Sequence, residues 1–270
     1  MDSRKLERIL ILILLCLNLC LLVVVLSDSI SAHRSRAETA ATLGALLEEN
    51  GITTADDAIS ILPAPPKCTL TRDMQAEQRI VKALIGRAQA EDQGGNIFFY
   101  SGAKGKAQLR GSGELDVIFS PDAVTRRGSM ERFAQRLLRR SGIRAVSAAE
   151  SGDAADFYAT LDGIPVYNAV LHFEFQGREL YMMSGTRLFD TAVREENAAL
   201  LDSVSVLIRF VELVREEGFI CTRIDAVTPG YLQTVTRSGE ATLAPIWSIG
   251  TDAGTFVIDA ETGKAVNRLS

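Results

Sequence analysis

Residues on which enzymes and metal sites depend are scarce in this sequence. Its 270 residues include two histidines, His33 and His172, and four cysteines. Nucleophilic catalysis requires a base beside the nucleophile, and two isolated histidines indicate no such triad. Cys68 and Cys221 are far apart and lack the paired histidines of a zinc site. The sequence therefore predicts a protein that is not an enzyme and that holds no cofactor or metal.

The small numbers of cysteines and prolines limit the class of protein further. Four cysteines are too few for a disulfide scaffold. Cys68 and Cys221 form either one disulfide or two buried free thiols, since nothing in the sequence sets their distance. The 7 prolines, with 47% hydrophobic and 23% charged residues, exclude a disordered, collagenous or low-complexity chain. The length is enough for one or two domains with a sizeable core.

Apolar residues concentrate near the N-terminus. From Ile9 to Leu26 every residue is apolar except Asn18. As a helix this segment would be about 27 Å long, close to the thickness of a bilayer core. A cleavable signal peptide has a shorter apolar region followed by a small-residue site. The pattern therefore predicts an uncleaved transmembrane helix.

The flanking charges predict the orientation of this helix. Arg4, Lys5 and Arg8 precede it closely, which favours a cytoplasmic N-terminus. We expect a single-pass protein of the cell membrane whose C-terminal domain is extracellular. Beyond Arg36 the chain has 24 basic and 31 acidic residues, a net charge of −7. A body that acidic is a poor binder of nucleic acid.

A polar residue in the middle of the predicted transmembrane helix marks a candidate partner-binding seam. The amide of Asn18 would gain from a hydrogen bond to a second helix in the membrane. Cys16 and Cys20 are spaced to lie near the same seam. The alternative is that Asn18 is a tolerated polar residue that bonds only to its own backbone.

Beyond the anchor the chain divides into a linker and three similar units. The linker combines a juxtamembrane helix with a Pro-rich stretch, and the helix either continues the anchor as a stalk or packs on the body. Each unit has one helix followed by three apolar runs, and the helices are expected to start at Thr71, Ser129 and Asp202. The predicted segments are a cytoplasmic tail (1–8), the transmembrane helix (9–27), the linker (28–70) and units at 71–120, 121–196 and 197–270.

The three units predict an α+β fold in which a helix covers one face of an antiparallel sheet in each tandem unit. Pairing is antiparallel because the connections between strands are too short for a crossover. Trp247 alternates with Ile249 in a predicted strand and is expected to fill the layer between sheet and helix. The strands are predicted at 96–100, 106–110, 115–119, 157–161, 165–175, 180–186, 221–227, 241–249 and 255–259.

The helix expected to start at Ser129 carries a second candidate site. Its outer side is crowded with arginines, and more basic residues stand just before and after it. On an acidic body this face is a candidate anionic-surface patch for lipid, wall polymer or an acidic partner. The alternative is an ordinary solvated helix face. The patch consists of Arg132, Arg136, Arg139 and Arg140.

Several stretches of the sequence resemble one protein family. The opening MDSRK runs directly into the apolar helix with its internal LNL at 17–19, and DGIPVYN stands at 162–168. WSIGTD at 247–252 is followed by FVIDAETGK at 256–264. These stretches are similar to the YycI family, the membrane-anchored regulatory proteins of the YycF/YycG (WalR/WalK) two-component system. The last two also resemble the end of PepSY-type modules.

This resemblance implies a non-enzymatic extracytoplasmic regulator of a sensor histidine kinase, built from PepSY-like units. Its implied partners are a YycH-like protein and the kinase, which it would contact through the transmembrane helix and the outer domain to adjust cell-wall turnover. Two alternatives stay open. One is a module that binds cell wall or another anionic polymer through the arginine helix, and the other is a PepSY-like inhibitor of a surface peptidase.

Overall fold

The structure is a computed structural model that describes residues 39–55, 60–189, 191–195, 199–218, 220–236 and 240–266. The predicted transmembrane helix, with Cys16, Asn18 and Cys20, lies outside these residues, as does the cytoplasmic tail. Within the described ranges, no helix combines the length and the apolar composition that a membrane crossing requires.

Four helices are described, and their ends follow local capping rules. Helix α1 covers residues 39–49, and the others are α2 (Met74–Ile85), α3 (Met130–Ser141) and α4 (Ser203–Glu217). The carboxylate of Asp202 accepts a hydrogen bond from the Ser205 amide and caps α4, as predicted.

The expected start is confirmed for α3 and not for α2. Helix α3 follows Ser129 and ends at Gly142, whose left-handed backbone (φ 83°) favours glycine. The helix therefore starts where the sequence pattern predicted it. The predicted cap of α2 at Thr71 was wrong, because Thr71 is the last residue of a strand and Asp73 caps the helix instead.

The strands are numbered in chain order and form one continuous sheet of 15 strands. Their bounds are β1 Thr53–Thr54, β2 Cys68–Thr71, β3 Ala88–Asp92, β4 Ile97–Gly102, β5 Gly105–Arg110, β6 Glu114–Phe119, β7 Ala145–Ser151, β8 Ala154–Leu161, β9 Ile164–Gln176, β10 Glu179–Thr186, β11 Thr191–Arg194, β12 Arg223–Val235, β13 Ala241–Thr251, β14 Gly254–Asp259 and β15 Ala265–Val266. Neighbouring strands pair antiparallel, as expected from the sequence, except that β1 and β9 each pair parallel with β12. The two halves of the sheet meet where β9 pairs with β12, and they are called the first sheet and the second sheet.

The first sheet is an antiparallel layer in the order β3-β4-β5-β6-β10-β9-β8-β7. Strands β6 and β10 pair with each other, with Val117 opposite Met183. The strands of the first two predicted units therefore form one continuous sheet. Helices α2 and α3 pack on this sheet over a core that includes Leu84, Phe157 and Phe173.

The second sheet has the order β11-β2-β13-β12, with β14 and β15 continuing from β13 and β1 beside β12. Its β2 and β11 come from outside the third predicted unit and pair with each other, with Cys68 opposite Arg194. Helices α1 and α4 cover the core of this sheet through residues such as Leu47 and Phe210. The described part of α1 is thus packed on the body, the second of the two expectations for this helix.

The sequence pattern missed six strands, which are β1, β2, β3, β7, β11 and β15. Strand β3 has the sequence Ala-Gln-Ala-Glu-Asp and four of its five residues are exposed, so it lacks the alternating apolar residues by which strands are recognised. The same is true of β7, where six residues in a row are exposed. Pairing with a neighbouring strand, rather than burial, makes β3 and β7 strands.

Candidate functional site

The four arginines of the predicted patch lie on the solvent side of α3. Arg132, Arg136, Arg139 and Arg140 are all exposed, as the helical periodicity indicated. The opposite side of the helix is buried against the first sheet through Ala134 and Leu138. Position on an amphipathic helix therefore holds these side chains in water.

Tertiary structure adds a groove beside this helix. The groove has a volume of about 920 Å³ and runs from the segment before α3 to the start of β7. Arg127 and Arg144 join Arg132, Arg136 and Arg139 along its walls, whereas Arg140 is not part of its lining. Its floor includes the buried side chains of Leu138 and Ile143. The candidate site is therefore this arginine groove rather than the helix face alone.

The guanidinium groups of the arginine groove lack carboxylate partners. Among the described residues, no aspartate or glutamate forms an ion pair with its five arginines. Some arginines elsewhere on the surface are paired, as in the contact of Arg110 with Asp116 at 3.1 Å. Arg136 donates instead to the carbonyl oxygens of Arg132 (3.1 Å) and Arg127 (3.2 Å), which holds its side chain across the groove.

Charge and geometry define what this groove can bind. Several positive charges close together without counter-charges raise the local concentration of anions. The planar guanidinium group presents donors in a fork that matches a carboxylate or a phosphate. The groove is suited to bind an anionic ligand or an acidic protein segment.

A second constellation joins the two sheets. Strands β9 and β12 meet in a parallel pairing with Val166 opposite Tyr231. The amide of Asn168 donates to the Gln233 carbonyl oxygen (2.8 Å) and accepts from the Gln233 backbone N–H (2.7 Å). The Tyr167 hydroxyl shares a hydrogen bond with Thr228 at 3.1 Å. The DGIPVYN stretch that carried the family resemblance therefore supplies the joint between the sheets.

The single tryptophan occupies the layer predicted for it. Trp247 is fully buried among the residues between the second sheet and helices α1 and α4. Its indole N–H donates to the carbonyl oxygen of Leu201 at 2.8 Å. The residue is thus part of the core, and the hairpin β13–β14 that contains it is a structural element of the second half.

One buried charge cluster was not predicted from the sequence. Glu77 on α2 is fully buried and accepts two hydrogen bonds from Arg72, at 2.7 and 2.8 Å. Arg187 and the hydroxyl of Tyr100 donate to the same carboxylate at 2.6 and 3.1 Å. Burial and the neighbouring carboxylate raise the pKa of Tyr100 to about 12. No local sequence pattern predicted the cluster, because Arg187 is far from the other members in the chain. The Glu77 carboxylate is buried in the protein and does not lie in an open cleft.

The two cysteines of the outer domain and His172 are the remaining candidates from the sequence. Cys68 and Cys221 are buried in different core clusters. Of the two alternatives, the structure therefore has two free thiols and not a disulfide between them. Burial raises the pKa of both thiols, which keeps them protonated and unreactive. His172 is half-exposed on its strand, between the carboxylates of Asp156 and Glu174. In the described ranges no group of three or more potential ligands is arranged to hold a metal ion.

Fold and surface together define a class: a mixed α+β protein with a large sheet, four described helices and a basic groove on an acidic body. No protein-family model matches the sequence, and no curated protein matches it significantly.

Several solved structures are distant neighbours of the chain. An uncharacterized protein from Eubacterium rectale aligns over 81% of this chain and 90% of its own, with 12% identity and a TM-score of 0.46. YycH from Bacillus subtilis aligns over 73% of this chain and 56% of its own, with 11% identity and a TM-score of 0.39. The C-terminal domain of Bacillus megaterium YpeB aligns over 73% and 96%, with 9% identity and a TM-score of 0.34.

Proposed function

We propose that this protein is a membrane-anchored, non-enzymatic regulator of a sensor histidine kinase, of the YycI kind. It acts outside the cytoplasm by association with protein partners, a YycH-like protein and the kinase itself. The transmembrane seam at Cys16, Asn18 and Cys20 supplies one contact, and the outer domain supplies the other.

One observation carries the proposal. Two of the stretches by which the sequence resembles the YycI family hold the outer domain together: Asn168 clamps the two sheets at Gln233, and Trp247 fills the core of the second. Stretches that build the core and the joint of a domain support a resemblance in fold more than a match of exposed residues would. The 18-residue apolar segment before the domain supports an anchored rather than a freely diffusing protein.

Affinity purification tests the proposal directly. The full-length protein extracted in mild detergent should retain the kinase, and the outer domain without the apolar segment should retain less of it. Asn18→Leu should weaken the association by about 0.6 to 2 kcal/mol, since an interhelical hydrogen bond in lipid is worth no more. Leu17→Ile, which changes the adjacent residue without adding or removing a polar group, is the matched control.

Two results would contradict the proposal. If the kinase co-purifies equally with wild type and with Asn18→Leu, and is lost when Arg132, Arg136 and Arg139 are replaced by Glu, then the transmembrane seam is not the working contact. Absence of the kinase from the wild-type eluate would also contradict the proposed function.

The arginine groove favours a second candidate, a module that binds anionic wall polymer or lipid. Five arginines without carboxylate partners in the described residues are the observation behind it. Such binding is electrostatic and should fall steeply as salt rises to about 0.15 M, where the Debye length is about 8 Å. Retention of wall polymer and not of the kinase in the eluate would favour this candidate.

A further inference from the structure

Strand β7 forms an open edge of the first sheet. It pairs with β8 along one side, and no strand in the described ranges pairs with its other side. From Val146 to Ser151 every residue is exposed. An unpaired strand edge presents a row of backbone N–H and C=O groups that can hydrogen-bond to another chain.

The composition of β7 leaves this edge poorly protected. Proteins usually block edges with lysine, proline or very short strands. Strand β7 has seven residues, Ala-Val-Ser-Ala-Ala-Glu-Ser, with one charge at Glu150 and no proline. A register shift between Ser147 and Ala149 bends the strand, so the regular part of the edge is the beginning of β7.

Backbone pairing shows which groups face the open side. The Thr160 N–H donates to the carbonyl oxygen of Arg144 at 2.9 Å, so Arg144 directs its backbone towards β8. Backbone direction alternates along an antiparallel pair. Val146 therefore also faces β8, and the backbone groups of Ala145 and Ser147 point to the open edge.

The open edge adjoins the arginine groove. Helix α3 packs on both β7 and β8, and Ala145 lines the groove together with the arginines of α3. A helix with its side chains is about 10 Å wide, whereas strands are about 4.8 Å apart. A strand added to β7 would therefore run beside the arginine side of α3.

We propose that the beginning of β7 accepts an extended, acidic segment of a partner protein as an additional strand. Backbone hydrogen bonds to Ala145 and Ser147 set its position, and its carboxylates are bound by Arg132, Arg136 and Arg139. Alternate side chains of a strand point to the same face, so acidic residues at every second position would meet the groove. The inference rests on the proposed function only in that the partner is a protein.

Charge favours this occupant over a second copy of the chain. Two copies that paired through β7 would bring two sets of the same arginines to one edge, which like-charge repulsion opposes. An acidic segment supplies the counter-charges that the described residues do not provide.

A labelled peptide tests the proposal on the full-length protein in mild detergent. The probe is fluorescein-labelled Val-Asp-Val-Asp-Val-Asp, and its binding is followed by fluorescence anisotropy. We expect it to bind, and the same peptide with Lys in place of Asp not to bind. N-methylation of the amides facing β7 should weaken binding at least about tenfold, because it removes ladder donors without changing charge.

Variants of the protein separate the contribution of the arginines from that of the backbone hydrogen bonds. Replacement of Arg132, Arg136 and Arg139 by Glu should abolish peptide binding. The matched control replaces three exposed arginines outside the groove, Arg79, Arg178 and Arg215, by Glu and should bind within about twofold of wild type, apart from the long-range charge effect at low salt. Ser147→Pro removes an outward N–H without touching the pairing to β8 and should weaken binding at least about tenfold.

Three results would overturn the inference. Equal binding of the N-methylated and unmodified peptides would exclude an added strand. Binding of phosphatidylglycerol vesicles or polyphosphate, without binding of the peptide, would assign the groove to anionic polymers or lipid. Self-association that Ser147→Pro abolishes would assign the edge to a second copy.

Peptide binding and co-purification of the kinase can succeed or fail independently of each other. If Ser147→Pro loses the peptide and still retains the kinase, strand addition is supported and the kinase is held by another contact. If the wild-type protein does not bind the peptide and still retains the kinase, strand addition fails while the regulator survives. If the peptide binds and no kinase co-purifies, strand addition is supported and the proposed function fails.

Discussion

Glu77 and Arg187, 110 residues apart in the chain, form a buried ion pair in which Arg187 donates to the Glu77 carboxylate at 2.6 Å. Arg72 adds a second guanidinium to the same carboxylate. Arg72 directly follows β2 of the second sheet, whereas Glu77 is on α2, which covers the first. The cluster therefore ties the two halves of the domain together.

Removal of this carboxylate should destabilise the protein strongly. Glu77→Ala leaves buried guanidinium groups without a counter-charge, and we expect the free energy of unfolding to fall by about 3 to 5 kcal/mol. Glu114→Ala, which breaks an exposed pair with Arg110, is the control and should cost less than about 1 kcal/mol. Urea unfolding of both variants measures the loss of stability. Equal losses would show that the buried ion pair stabilises the fold no more than the exposed one.

Truncation of the buried tryptophan should also be costly. Trp247→Ala opens a cavity between the second sheet and α4 and removes the hydrogen bond to Leu201, so we expect a loss of about 3 to 5 kcal/mol. Trp247→Phe keeps a ring in the layer and should lose clearly less. A denaturant midpoint that barely moves in the alanine variant would contradict the packing described for this residue.

Asp252 should make stability depend on pH in the acid range. A hydrogen bond from the Thr222 side chain, with backbone N–H donors from Arg223 and Thr222, lowers the pKa of Asp252 from 3.8 to about 2. Because the folded-state pKa is the lower one, this stabilisation is fully present above the ordinary value of 3.8 and is lost as the pH falls through about 2.

The measurement compares wild type with Asp252→Asn by urea unfolding between pH 5 and pH 2. The stability difference between the two proteins should shrink as the pH is lowered. The stability difference between wild type and Thr222→Val should also shrink towards low pH, but by less, because this variant removes only the hydroxyl donor. A difference that stays constant over this range, or grows towards low pH, would contradict the assigned interaction.

Reporter fusions test the membrane topology expected from the N-terminal charges. A reporter that works only in the cytoplasm should be active when it is fused before Ile9 and inactive when it is fused after Ser270, because Arg4, Lys5 and Arg8 favour the cytoplasmic side. A reporter that works only outside the cytoplasm is the reciprocal control. Cytoplasmic activity at the C-terminal fusion would contradict the proposed localisation and with it the regulator.

Local patterns were enough to predict most helices and strands of the described chain. Asp202 and Gly142 mark helix ends, because capping depends on residues a few positions apart. The alternation around Trp247 identified a buried strand, and the helical spacing of Arg132, Arg136 and Arg139 placed them on one solvent face. Both the mixed α+β class and the basic face could therefore be predicted without coordinates.

Tertiary structure alone decided how these elements combine. The pairing of β6 with β10, the clamp between Asn168 and Gln233 and the ion pair of Glu77 with Arg187 join residues that are more than 60 positions apart. The open edge of β7 beside the arginine groove has the same origin, since an exposed strand carries no apolar pattern. The sequence by itself determined the capping, the periodicity and the charges, which are local, whereas only the folded chain decided which distant donors, acceptors and surfaces meet, because their proximity depends on the packing of the whole core.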